Sequence, residues 1–245
     1  MSMFGPPPFS QGRRPYPLDY EAQAGSPTVI SFFNAVYAWM AAGLALTAVV
    51  AWWVSSHAAV MQRVFTGGSL ILIFVAQIVL VVVISMAVQR IGATAATALF
   101  LLYAALNGLT LAGLFWVYTL SSIAGAFIAS AAMFGAMSVY GMFTRTDLSG
   151  WGKLLFMGLI GIIIASVVNM FLANSTLSWI VSYAGVAIFV GLTAYDTQRL
   201  RQIAYSTAGD GALAARMSVV GALMLYLDFL NLFLFLVQIM GNRRR

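Results

Sequence analysis

Residues 91–144 read IGATAATALFLLYAALNGLTLAGLFWVYTLSSIAGAFIASAAMFGAMSVYGMFT, and none of them carries a charge. A membrane-spanning helix needs about 20 apolar residues. This stretch therefore holds two, with a turn at residues 119–122, where Thr119, Ser121 and Ser122 cluster. Downstream, residues 154–195 are again free of charge and hold two more, turning at residues 174–176. Residues 22–62 and 64–89 are charge-free and supply one span each, and residues 217–242, with the single charge of Asp228, supply the last. Seven spans result, at about 30–54, 69–88, 95–117, 122–143, 154–173, 178–203 and 214–240.

Composition agrees with this reading. Hydrophobic residues make up 62% and charged residues 7% of the 245, against roughly 45–50% and about 25% in a soluble domain. Too few charges exist to coat a water-facing exterior, which excludes a soluble enzyme, a disordered regulator and a nucleic-acid binder. The net charge of +6 does not form a basic face, because the cations sit at the ends of apolar runs. Alternation of period two is missing, which argues against an outer-membrane barrel. No internal repeat is evident, which argues against an inverted-repeat transporter. With no cysteine and only His57 as a histidine, thiolate chemistry is excluded, and zinc or haem would need an unusual ligand set.

The fold class is thus an all-α polytopic membrane protein. A disordered Pro-rich cytosolic tail is expected at 1–28, a seven-helix domain at 29–242 and a basic tail at 243–245; all six prolines fall within residues 1–27. The tail lacks the apolar core of a signal peptide. Spans without proline are expected to be free of sharp kinks. Gly158, Gly161, Gly185 and Gly191 are candidates for close helix approach. Most tryptophans suit the membrane interface, whereas Trp39 lies deeper and reads as packing. His57 reads as a solvated interfacial residue.

Orientation follows from Lys and Arg. With the N-terminus in the cytosol, eight of them lie inside and four outside. The terminal Arg243, Arg244 and Arg245 are the misfit; a re-entrant last segment would make the count eleven against one.

Two carboxylates stand where lipid is expected. Asp196 and Asp228 lie within apolar helices six and seven, and an aspartate near a helix centre costs at least about 2.5–3.5 kcal/mol unless it faces protein or water. Asp196 has Arg199 three residues on, so a local ion pair is an alternative reading. Asp228 has no such neighbour: Asn231, at i+3, offers a hydrogen bond but no charge. Counted along the helices, the two sit about 10 and 21 Å above the same membrane face, a gap that tilt and uncertain ends can absorb. Two carboxyls at hydrogen-bonding distance share one proton, because adjacent anions in a low dielectric repel. Loss of that proton drives the helices apart or draws in a cation. Calcium suits carboxylate and carbonyl oxygens, although two carboxylates make only a weak site.

Three stretches resemble the Bax inhibitor-1 family in its bacterial branch: TDLSGWGKLLFMGLIGIIIASVVNMF at residues 146–171, GLTAYDTQ at residues 191–198 and LYLDFLNLF at residues 225–233. The resemblance implies six helices around a central seventh, in the inner membrane. It also implies a pH-sensitive calcium leak gated by two aspartates, which match Asp196 and Asp228, the expected pH sensor and weak calcium site. A family arginine at the cytosolic end of helix two corresponds to Arg90; the alternative is an interfacial arginine that only snorkels to the headgroups. With Arg199 and Asn231, Arg90 completes the candidate latch partners. The chain departs from many relatives at Gln77, where they carry a glutamate.

Protons and calcium are the expected small partners, and no cofactor is expected to bind tightly. A second reading is a non-conducting regulator of a membrane-bound, ATP-dependent quality-control protease or of stress responses, acting through the N-terminal tail. A remote third is an intramembrane aspartyl protease. Its second aspartate follows a glycine-containing motif, whereas Leu225, Tyr226 and Leu227 precede Asp228 here. The expectation is a protein that is not an enzyme.

Overall fold

The computed structural model describes residues 26–87 and 91–242. Arg90, Arg243, Arg244, Arg245 and the tail up to residue 25 lie outside the described residues. The described helices are α1 (Pro27–Ser56), α2 (Ala58–Phe65), α3 (Ser69–Ala87), α4 (Ala93–Leu111), α5 (Leu114–Val117), α6 (Leu120–Phe143), α7 (Ser149–Leu172), α8 (Ser175–Ser206) and α9 (Gly211–Met240). Seven segments are long and apolar enough to cross a membrane, with α4 and α5 together forming the third.

The helices outrun the apolar stretches because polar residues cap them. Ser26 Oγ accepts from Val29 N at 3.4 Å, and Pro27 occupies the first turn, where its missing N–H is harmless. Pro27 and Thr28 therefore belong to α1. Asn174 Oδ1 accepts from Leu177 N at 3.1 Å, and Asp210 Oδ1 from Leu213 N at 2.9 Å, so α8 and α9 each begin three residues before the expected 178 and 214. The fifth span begins at Ser149 instead of 154, since Lys153 is carried within the helix and not at its boundary. The third span is not continuous: the helix breaks at Ala112 and Gly113, where the Phe65 ring lies so close that a Cβ on Gly113 would sit 2.9 Å from it.

α9 is the centre. Of its most apolar window 67% is buried, against 39% for α8 and 28% or less for the other spans. Helices α1, α4, α6 and α8 pack directly on it. α3 leans on α4 and α7 on α8, and both present apolar side chains such as Ile71, Met170 and Phe171 outward to lipid. Tyr226 of α9 is fully buried, edge-on to Phe100 and Tyr103 of α4 at 5.5 and 6.0 Å, and its hydroxyl lies 2.7 Å from Thr47 Oγ1 of α1. That satisfied polar pair fixes α1 and α9 in register without leaving a hydroxyl bare in the core.

Glycines permit several of these approaches. A Cβ on Gly185 would meet the Phe235 ring at 2.5 Å, on Gly158 the Ile188 side chain at 2.8 Å, and on Gly191 the Leu155 side chain at 2.9 Å. Gly161 differs from expectation, because nothing lies within 4 Å of its Cβ position. Trp39 packs on the core, while the other five tryptophans are exposed.

α9 is not re-entrant. Its 30 residues extend about 45 Å at 1.5 Å per residue, enough to cross the ~30 Å hydrocarbon layer once. Beyond its end, Asn242 N donates to Ser122 Oγ at 3.0 Å and Thr119 N donates to Asn242 O at 3.2 Å. The far end of α9 thus meets the turn before α6, on the face opposite the α8–α9 turn.

Candidate functional site

The segment Tyr195–Gln198 of α8 is a junction in which each side chain has a separate partner. The Tyr195 ring lies where a Cβ on Gly152 would stand, so α7 reaches α8 only because residue 152 is glycine. Thr197 Oγ1 donates to Thr193 O at 2.7 Å and lies 3.0 Å from Ser138 Oγ, which is 2.5 Å from Tyr37 Oη. Gln198, buried, accepts from Leu148 N and donates to Thr146 O, both at 2.8 Å. One turn on, the buried guanidinium of Arg201 donates to Met142 O and, at 3.4–3.5 Å, to Thr144 O. A cation there sits against the carbonyl end of α6, where the helix dipole is negative. Gln198 and Arg201 thereby fasten the α6–α7 turn to α8.

Asp196 carries the carboxyl of this segment to a cavity, whose wall Tyr195 also lines. The cavity, about 760 Å³, lies between α7, α8 and α9 and is lined by both Asp196 and Asp228. Their carboxyl groups are neighbours, and the Arg199 guanidinium acts electrostatically on Asp196. Asp228 is only 4% exposed, and among the described residues its Oδ2 has no hydrogen-bond partner. Along the observed helices Asp196 lies ten residues before the end of α8 and Asp228 seventeen after the start of α9, about 15 and 26 Å. That they meet requires the two helices to be staggered along their axes or inclined to one another.

Asn231 also lines the cavity, and among the described residues its hydrogen bond goes not to Asp228 but from Nδ2 to Leu227 O at 2.8 Å. Arg199 is exposed at the cavity's rim with Lys153 of α7. Lys153, one of the eight cations counted on the cytosolic side, was not singled out as a site residue in the sequence. Arg90 lies outside the described residues. Gln77 is buried between α3 and α4, with Nε2 3.5 Å from Thr110 Oγ1, and does not line the cavity. His57 stacks on Trp53 at 4.6 Å, also away from it.

Chemically, an ionised carboxylate as buried as Asp228 is strongly unfavourable without a partner. Two neighbouring carboxyls holding one proton between them lessen that penalty, because the single remaining charge is spread over both and stabilised by the shared hydrogen bond. Among the described residues no group of three or more His, Asp, Glu or Cys converges on one point. In the α6–α7 turn, Asp147 accepts from Ser149 N at 2.9 Å; bonding to Ser149 holds its carboxyl below the usual carboxylate range.

A family described as "Inhibitor of apoptosis-promoting Bax1" matches residues 29–245. Inner membrane protein YbhL of Escherichia coli K12 is 50% identical over 216 residues, covering 87% of this chain and 92% of YbhL. An uncharacterized protein of Deinococcus radiodurans is 46% identical over 217 residues, 88% of this chain and 92% of the relative. One from Caulobacter vibrioides is 36% identical over 246 residues, 96% of this chain and 98% of the relative.

Proposed function

The chain belongs to the Bax inhibitor-1 family, and from that membership and the cavity around Asp196 and Asp228 we propose that it is a pH-sensitive calcium leak of the inner membrane. The observation that carries the reading is a pair of neighbouring carboxyls, from α8 and α9, in one cavity between three spanning helices. With one proton between them the pair ties α8 to α9 and the route is shut. When that proton leaves, two anions face each other in a low dielectric, and repulsion parts the helices or a cation enters to offset it.

Lys153, Tyr195 and Arg199 are the other charged or titratable groups lining the cavity. The two cations at the rim favour the ionised state and repel calcium until the pair is doubly negative. In this reading the N-terminus and the Lys153–Arg199 rim face the cytosol, following the Lys and Arg bias. Calcium is cargo, not a resident ion, and the protein is not an enzyme. Support for an aspartyl protease is lacking: α9 is continuous through Asp228, and Leu225 and Tyr226 before it are fully buried, leaving no backbone for an extended substrate to approach.

Calcium flux into liposomes tests the proposal. Wild-type flux rises as the pair loses its proton, and Asp228→Asn, which has no proton to lose at that site, gives a flux that no longer follows pH. A variant whose flux keeps the wild-type pH profile overturns the gate.

A further inference from the structure

A second cavity, about 350 Å³, lies between the same three helices, toward the α7–α8 turn. Its polar lining comes from Ser166 and Asn169 of α7, Ser178 of α8, and Asn231 and Gln238 of α9. On α9, Asp228, Asn231, Phe235 and Gln238 follow at i, i+3, i+7 and i+10, one face of a helix. The two cavities share Ser166, Asn231 and Phe235 as lining residues.

Two of the shared residues are polar and one is a ring. Phe235 fills the notch that Gly185 leaves, and it lies 6.0 Å from the Phe189 ring, tilted by 31°. Asn231 spends its Nδ2 on Leu227 O, and Ser182 donates toward Gln238 Oε1 at 3.1 Å. Amide and hydroxyl oxygens without net charge can replace part of the hydration shell of a cation and release it again. An aromatic constriction between wet spaces resists water and ions until it moves.

From this arrangement we infer that the second cavity is a water-filled vestibule for a hydrated divalent cation, and that the Phe235 ring is a barrier separating it from the Asp196–Asp228 pair. The inference deepens the leak reading and rests on it for the identity of the cargo. The hydration of the vestibule and the position of the barrier stand on the cavities alone. The path then has two closures in series, a carboxyl pair and, about 10 Å along α9 at seven residues, an apolar ring.

The chain has no cysteine, so single thiols report water access directly. The probe is a charged, membrane-impermeant methanethiosulfonate added from the side of the α7–α8 turn to protein in sealed vesicles. Gln238→Cys is expected to react readily and Leu227→Cys, which lines only the first cavity, at least tenfold more slowly. Adding Phe235→Ala is expected to bring Leu227→Cys to within about threefold of Gln238→Cys. Phe235→Leu, which keeps more of the apolar volume, gives an intermediate rate if the alanine variant does not fold. An inert Gln238→Cys, as in a groove filled by lipid tails, overturns the vestibule. Equal Leu227→Cys rates with and without the Phe235 changes overturn the barrier. Labelling as expected without calcium flux at any pH upholds vestibule and barrier and removes the leak reading.

Discussion

Replacing Asp228 by asparagine is expected to make the protein more stable while removing its response to pH. Asp228 is 4% exposed, with Oδ2 unpartnered among the described residues. A buried polar group without a partner costs about 1–3 kcal/mol. The substituted side chain has the same shape and no charge, and its amide can donate to the Asp196 carboxylate. The expected gain is therefore about 1–3 kcal/mol, and at roughly 2–4 °C per kcal/mol for a chain of this size the melting temperature rises by roughly 2–12 °C. The sign with pH is fixed by which protein has a proton to lose. At acid pH the wild-type pair is protonated and the two proteins differ little; as pH rises the wild type loses its proton and leaves an added negative charge in a buried site, and the gap widens. Tryptophan fluorescence melts of Asp228→Asn and wild type at several pH values measure this. A variant that melts lower than wild type, or a gap that narrows as pH rises, refutes the reasoning.

Other expectations come from the same geometry. Gln198→Ala removes two 2.8 Å hydrogen bonds and leaves the buried Leu148 N–H unpaired, a loss of about 2–4 kcal/mol seen as a lower melting temperature and faster proteolysis near residues 144–148. Gly141→Ala drives a Cβ into the backbone carbonyl of Ala194, which no rotamer change relieves, whereas Gly161→Ala meets open space. The first is expected to lose folded protein in detergent gel filtration, and the second to gain up to about 1 kcal/mol from helix propensity in the same melts. Asp147, held low by Ser149, stays ionised even below the usual carboxylate range and loses its Ser149 bonding only as pH falls through its folded value; Asp147→Asn therefore leaves the pH profile of calcium flux near neutrality unchanged.

Much of the fold was legible because charge is so costly in lipid. Uncharged runs longer than a bilayer is thick define the spans, and the two aspartates that violate the rule are those lining the cavity. Helix ends were missed where the capping group lies beyond the apolar run, as with Ser26, Asn174 and Asp210, or where Lys153 enters the helix. Arg201, counted from the sequence only as one of the eight cytosolic-side cations, is buried against the last carbonyls of α6. Its partners, like those of Gln198, lie 50 or more residues away, and pattern along one helix carries no record of such a choice. The second cavity was missed for a related reason. Ser166, Asn169 and Ser178 look like ordinary turn and packing residues, and only the i, i+3, i+7, i+10 spacing from Asp228 to Gln238 pointed to a polar face.

The central claim is that Asp196 and Asp228 hold one proton between them. Infrared difference spectra of the protein in lipid, taken across a step from acid to alkaline pH, read that proton through the stretch of a protonated carboxyl. The account predicts a carboxylic-acid band that disappears on the alkaline side and is absent from both Asp196→Asn and Asp228→Asn. A band that survives either substitution, or a wild-type spectrum without one, contradicts it.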